Sequence, residues 1–302
     1  MTKKNSLKGV LFVALGASSY GMLATFVKLA YNEQFTTAEV TTSQFVLGII
    51  GILIVNFVQR KRQSITVIQP TSTNIFQLML AGTSLGMTSV FYYLCVKYID
   101  VSIAIVLLMQ TVWMGVLLEW ILDKNKPSIQ KSAAVVVVLL GTLLATNVLQ
   151  NKNTIDVRGI FWGMLSAVSF TTTMFTANRI ATGVSSSKRS LYMLLGGAII
   201  VFTFGFFTQH APFNFSIFWK WGIVLSLFGT IIPPLLMNAG FPITGIGLGS
   251  IVSALELPVS VLMAYFVLNE NVIIIQWIGI LCILFAIIMM NQQLPVRTKK
   301  TT

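Results

Sequence analysis

The sequence predicts an all-α integral membrane protein of ten transmembrane helices, arranged as two inverted five-helix repeats. Three observations predict this. First, 55% of the 302 residues are hydrophobic and only 9% are charged, with a mean hydropathy of +0.84; an ordinary soluble domain is roughly a quarter charged. Such a chain cannot cover its apolar surface with polar groups, so the lipid bilayer must solvate much of it. Second, a bilayer core about 30 Å thick takes roughly 20 residues of helix. Ten apolar runs of that length lie at 9–30, 37–58, 75–97, 101–122, 131–150, 158–180, 190–209, 217–240, 245–268 and 272–292. Third, the second half of the chain repeats the first.

The first run follows Lys3, Lys4 and Lys8, a pattern shared with secretory signal peptides. It extends to Ala30, beyond the length of a signal core, and has an internal copy, so it is read as an uncleaved first helix. Lys8-Gly9 corresponds to Arg158-Gly159, Leu15 to Leu165, Ala17 to Ala167, Ser19 to Ser169 and Tyr20 to Phe170, an offset of 150. Helices 3 and 4 and the start of helix 5 recur in helices 8 to 10 at an offset of 146. There Ile105 lies over Ile251, Val106 over Val252, Gln110 over Glu256, Leu122 over Leu268, Asn125 over Asn271, and Ile129-Gln130 over Ile275-Gln276. The polar loop signature Leu-(Asp/Asn)-x-Asn-x3-Ile-Gln matches in place, which apolar composition alone does not explain. The repeats divide the chain at 1–150 and 151–302. Each has an odd number of helices, so the second copy enters the membrane from the opposite face. Many secondary transporters share this architecture, with a midplane site between the copies.

Basic residues set the orientation. With the N-terminus in the cytoplasm, that side collects all of the 20 Lys and Arg except Lys28, Lys97, Lys152, Arg158 and Lys220. Both termini are then cytoplasmic and the expected location is the plasma (inner) membrane, with multiple passes. The net charge of +12 sits at the ends of apolar runs and not on one amphipathic surface, so nucleic acid is not expected as a partner. Cys95 and Cys282 lie inside apolar runs and read as small hydrophobes.

The tail LNENVIIIQWIGILCILFAIIMM, with Glu270 just past helix 9, Gln276 and Gly279, resembles the C-terminal signature of the EamA family of the drug/metabolite transporter superfamily. The resemblance spans the whole chain and implies the ten-helix, two-repeat layout and export of amino acids or other small metabolites. Lys124 stands where that family usually has glutamate, and Gln44 where helix 2 often carries arginine.

Polar side chains within the membrane are costly and persist where they face a wet cavity or one another. Glu256 is the foremost candidate for substrate binding. It is expected either to hold a cationic group of the substrate or to take up a coupling proton, with a structural, hydrogen-bonded glutamate as the alternative. Gly249, Ser253, Glu256 and Ser260 would share one helical face, and Pro258 would break the helix nearby. On helix 4, Gln110 and Trp113 face the same way; helices 3 and 8 offer Thr88, Tyr92 and Asn238, with Pro233 and Pro234 as a kink; helices 1 and 6 offer Tyr20 and Thr173. Asn178 is a weaker cavity candidate. The Gly82-x3-Gly86, Gly159-x3-Gly163 and Gly245-x3-Gly249 pairs are expected at close helix contacts. Lys28 and Glu119 read as interfacial anchors, and Glu270 as a cap on helix 10.

No GxxxxGK[ST] loop is present, so ATP-driven transport within this chain is excluded. No HExxH occurs, membrane aspartates are lacking and the single histidine, His210, lies in a loop, so an intramembrane enzyme lacks its usual parts. No metal or cofactor is expected. The leading expectation is a secondary exporter of small organic solutes working by alternating access, driven by protons or by the substrate gradient. The alternatives are a membrane-embedded enzyme and a non-transporting scaffold or sensor; the last predicts no cavity between the two copies.

Overall fold

A computed structural model describes residues 3–62, 69–99, 101–124, 126–147, 156–269 and 271–291. Glu270, Asn125 and the expected division at 150 lie outside the described residues, as do Lys152, Arg297, Lys299 and Lys300. The described residues form helices and short connections without strands. This is what hydrocarbon permits, since a helix satisfies its own backbone groups.

In chain order the helices are α1 (Lys3–Asn32), α2 (Thr37–Arg62), α3 (Ser72–Tyr98), α4 in two parts (Val101–Leu108 and Thr111–Asp123), α5 (Ile129–Ala145), α6 (Val157–Arg179) and α7 (Ser186–Thr208). α8 runs over Phe218–Thr244, α9 follows in two parts (Ile246–Ser253 and Glu256–Leu268), and α10 is Ile274–Asn291. Among the described residues, eight helices are long and apolar enough to cross a membrane, all but α5 and α10, which are shorter. α5 has 17 residues and α10 has 18, at the lower limit for a span.

Local signals set the helix starts. Thr36 and Glu39 form a reciprocal capping box, with Glu39 N donating to Thr36 Oγ1 and Thr36 N donating to Glu39 Oε2. The buried Glu39 carboxylate also accepts from Asn214 N and Gln209 Nε2, which ties the α7–α8 loop to α2. Thr71, Ser128 and Asp156 cap α3, α5 and α6. The Arg158 side chain beside Asp156 holds that exposed carboxyl below the usual carboxylate range.

The two halves are interleaved. α1 packs on α8 and α9 just as α6 packs on α3 and α4, and α2 meets α8 as α7 meets α3. The pairs α2–α7, α4–α9 and α5–α10 each join a helix to its own repeat equivalent. Exchanging the halves therefore maps this packing scheme onto itself, and the principal contacts run between the halves.

Two contacts show how the sequence enforces this. A Cβ built on Gly82 would lie 1.9 Å from the Met193 carbonyl oxygen, and one on Gly196 would lie 1.8 Å from that of Met79. The α3 and α7 backbones thus touch, and only glycine fits. Gly159 and Gly163 likewise admit Ile99, Leu107 and Cys95. Gly245 departs from expectation. Its φ of +76° makes the α8–α9 corner and it abuts Glu119, while Gly249 packs on Phe241 of the adjoining helix. The second contact is the antiparallel α5–α10 pair. Gln130 Nε2 donates to the Met289 carbonyl, and Gln276 Nε2 donates to that of Ala145 at 3.0 Å. These are repeat-equivalent glutamines clasping opposite ends of one pair.

Gly196→Ala is expected to destabilise the protein by about 1–3 kcal/mol through overpacking, whereas Gly205→Ala, whose Cβ would meet the Thr42 side chain at 3.3 Å and Ala38 Cβ at 3.9 Å, changes little; thermal unfolding of the purified proteins in detergent checks both. The double change Gln130→Leu/Gln276→Leu should cost only about 1 kcal/mol, because interhelical hydrogen bonds in membranes contribute roughly 0.6 kcal/mol each; the same unfolding measurement reads it.

Candidate functional site

The two helices that carry Gln110 and Glu256 are both interrupted at these residues. In α4 the chain turns at Met109–Gln110, and in α9 at Ala254–Leu255. At both points the backbone changes from i−4 to i−3 hydrogen bonds: Gln110 N donates to Leu107 O, Ala254 N to Ile251 O and Leu255 N to Val252 O. Pro258 lies in the first turn of the second part, four residues after Ala254 at the break, and has no N–H to return to the Ala254 carbonyl; the equivalent break in α4 forms with Val112 at this position. The face expected to run from Gly249 to Ser260 is accordingly split.

The two interruptions are satisfied differently. In α4 the Val106 carbonyl accepts from Gln110 Nε2 at 3.0 Å, and Gln110 Oε1 accepts from Trp113 Nε1 at 2.9 Å. Gln110 and Trp113 thus satisfy each other and their own helix. In α9 the equivalent Val252 carbonyl takes backbone N–H groups of Ala254 and Leu255. Glu256 has no capping task, and its Oε2 is buried without a hydrogen-bond partner. The Glu256 backbone lies against α1: a Cβ on Gly21 would come within 2.3 Å of the Glu256 carbonyl oxygen.

Beside this contact, Tyr20 lines a cavity with room for about one water molecule. Leu85 joins Tyr20 from the first half, and Phe170, Thr173, Met174, Ala177, Met193, Pro234, Met237, Asn238 and Phe241 come from the second. The rings of the repeat-equivalent pair Tyr20 and Phe170 meet edge to face at 6.2 Å. Asn238 is buried; its Nδ2 donates to Ser190 Oγ at 2.9 Å, and its Oδ1 has no partner. Thr173 Oγ1 bonds Ser84 Oγ at 2.8 Å.

The structure therefore brings Tyr20, Thr173 and Asn238 together around the cavity and places Glu256 next to Tyr20. Gln110, Trp113, Tyr92, Thr88 and Ser253 do not line it. Thr88 and Ser253 donate to carbonyls of their own helices, Ser84 O and Ser250 O. Asn178 is also structural, donating to the Phe241 carbonyl at 2.6 Å.

α8 is distorted where Pro233 and Pro234 lead one to expect it. The preceding Leu227–Ile231 segment is π-helical. Pro233 has no N–H to return to the Phe228 carbonyl in that register, and Ser19 Oγ of α1 donates to it instead at 3.0 Å. Gln44, also buried, packs its amide on Gly229 of the same segment and leaves Oε1 unpaired.

Sequence reasoning missed Arg189. It is 1% exposed and donates to the carbonyls of Ala177, Ile180 and Asn238, stapling α6, α7 and α8. Its position near a basic helix end disguised it as one more cytoplasmic charge. Glu119 is not a simple anchor: it pairs with Lys131 of α5 and packs on Gly247. Asp123 pairs with Arg179, which ties the end of α4 to the end of α6.

The EamA-like transporter family matches residues 7–147 and again 157–292, once on each repeat. No curated protein matches. Among solved structures 28 chains match. One is a protein known from a crystal structure, with a TM-score of 0.76 over 95% of this chain and 97% of its own, at 14% identity. That likeness concerns the fold. The two family matches together cover nearly the whole sequence, and the chain is a member of the EamA-like transporter family.

Proposed function

We propose that the protein is a secondary transporter that exports small organic solutes, amino-acid-like or otherwise polar, across the plasma membrane. In this reading all ten helices cross the bilayer as two inverted five-helix repeats, with both termini in the cytoplasm. α5 and α10, each at the lower length limit, cross as a clasped pair.

The observation that carries the reading is Glu256. A lone carboxylate with a buried, unpartnered oxygen, at a mid-membrane helix break and beside a cavity lined by both repeats, is expensive unless it is used. Packing alone does not need it: the carbonyl at this break is satisfied by backbone N–H groups, which argues against a structural glutamate. Interrupted helices at a midplane site are a recurring transporter device.

Substrate then binds between the repeats, with its cationic group or a proton on Glu256 and its polar groups toward Tyr20, Thr173 and Asn238. Alternating access follows from the interleaved packing. One mobile unit is α1 with α8 and α9, and the other is α6 with α3 and α4; the α5–α10 clasp stays closed as the pivot.

A metabolite screen on proteoliposomes, with an imposed pH gradient, identifies the cargo and tests the site. Glu256→Gln should reduce gradient-driven uptake at least about tenfold while counterflow exchange stays measurable. Gradient-driven uptake unchanged by this substitution would remove Glu256 from the coupling step. Gln110→Ala, whose amide is already bonded within α4, should slow flux without uncoupling it from the gradient.

A further inference from the structure

Beyond the cavity, at the end where α6 turns into α7, three hydrogen bonds join α8 to its neighbours. Arg189 of α7 donates to the Asn238 carbonyl at 2.6 Å, and Asn238 Nδ2 donates to Ser190 Oγ of α7 at 2.9 Å. Asn178 of α6 donates to the Phe241 carbonyl at 2.6 Å. Ala177, Asn238 and Phe241 line the cavity, so this seam forms its floor. The Phe241 carbonyl also takes the Gly245 N–H at 3.0 Å. The Asn238 carbonyl is different: the residue four further along is Pro242, inside the helix, which has no N–H to return. Arg189 supplies the donor in its place. Its other bonds go to the carbonyls of Ala177 and Ile180 at the end of α6, which a helix terminus leaves open.

The opposite end is closed by other means. There the Tyr31 ring of α1 meets the Tyr93 ring of α3 edge to face at 6.3 Å. The offsets of 150 and 146 carry Tyr31 onto Ala181 and Tyr93 onto Ala239, the chain neighbours of Ile180 and Asn238 in the seam. Where one end has two rings in contact, the other has two small residues and the Arg189 side chain. The offset of 150 also carries Glu39 onto Arg189. Both are buried in the first turns of their helices; Glu39 accepts from N–H groups and Arg189 donates to carbonyls. The inverted halves close their two ends with opposite chemistry.

We propose that this seam is the gate between the cavity and the cytoplasm, and that Arg189 is the positioning residue that bolts it. α8 belongs to one of the two mobile units and α6 to the other, and the Gly82–Gly196 contact binds α7 to α3 of the second. All three hydrogen bonds of the seam therefore cross between the units. The Asp123–Arg179 ion pair at the same end does not, since α4 and α6 share a unit. Glu119 of α4 reaches Gly247 of α9 across the units, but neither residue lines the cavity. The gate opens when Arg189 leaves the Asn238 carbonyl and α8 moves away from α6 and α7, with water taking up the released groups. Pro242 makes the bolt necessary, because α8 cannot satisfy that carbonyl itself. The gate rests on the alternating-access reading with cytoplasmic termini, and adds the contact that separates the cavity from that side.

The test places a thiol in the cavity, Met193→Cys, in the full-length protein carrying Cys95→Ala and Cys282→Ala. Its labelling by a charged, membrane-impermeant methanethiosulfonate is timed in inside-out and in right-side-out vesicles. Arg189→Gln should raise the rate from the cytoplasmic face at least about tenfold, as loss of a charged hydrogen bond implies, and leave the rate from the outer face unchanged. Pro242→Ala serves as the second variant. It gives α8 its own donor for the Asn238 carbonyl, makes the bolt redundant, and should raise the cytoplasmic rate in a folded protein. A purely structural Arg189 predicts no such rise, because this change only strengthens the helix. An unchanged cytoplasmic rate with Pro242→Ala, or a rise from both faces alike, would overturn the gate, while cytoplasmic labelling of the parent protein would still support alternating access. A thiol that neither face reaches in any variant would overturn alternating access and the gate together.

Discussion

Every backbone carbonyl released inside hydrocarbon needs a new donor, and this constraint organises the protein. A helix satisfies itself; a broken helix does not. At Val106 the replacement donor is the side chain of Gln110; at Val252 it is backbone N–H; at Phe228 it is Ser19 from a neighbouring helix. Each solution fixes a different partner in place. Gln110 is committed to its own helix, Ser19 locks α1 against α8, and Glu256 is left with nothing to do for the fold. The functional reading of Glu256 follows from this difference, since the same break in the first repeat shows what a structural side chain there looks like.

The same constraint explains the interleaving. Lipid tails are as apolar as the helix surfaces, so burial gives no reason for helices to associate, and close backbone approach has to supply it. Glycines at 82, 196, 141 and 279 provide that approach, and they join α3 to α7 and α5 to α10 across the repeat boundary. Units defined by sequence halves would have to tear these seams to move. The units of the proposed mechanism, α1 with α8 and α9 against α6 with α3 and α4, do not divide these two seams and meet each other at α4–α9, where Gly115 packs on Ser250.

Much of this was legible in the sequence. Composition and run length fix the membrane class, and the 146-residue register finds Gln110 and Glu256 as equivalents before any coordinates. The glutamines of the loop signature prove to be the α5–α10 clasp. What was not legible depends on where hydroxyls and amides find partners. Thr88 and Ser253 form polar stripes by spacing, but a hydroxyl in a helix bonds its own preceding turn as readily as a ligand. Pro258 pointed to a break in α9, yet α4 breaks at the equivalent place with Val112 there, which no proline signals. Arg189 was hidden because counting charges by side of the membrane says nothing of depth.

The remaining asymmetry concerns chemistry. Two copies of one scaffold face each other around Tyr20 and Phe170, and the packing treats them almost alike. Their titratable groups do not follow the symmetry: Glu256 and Tyr20 are replaced at the equivalent positions by Gln110 and Phe170. Protonation at Glu256 changes charge in one bundle only. A carboxylate accepts hydrogen bonds at both oxygens, while the acid donates one and resembles the glutamine already present at the equivalent break. Protonated, Glu256 is neutral like Gln110; deprotonated, α9 carries a charge that α4 does not. On the proposed function, a proton at this position changes the charge on one side of a repeated scaffold only, which is the property a coupling site requires.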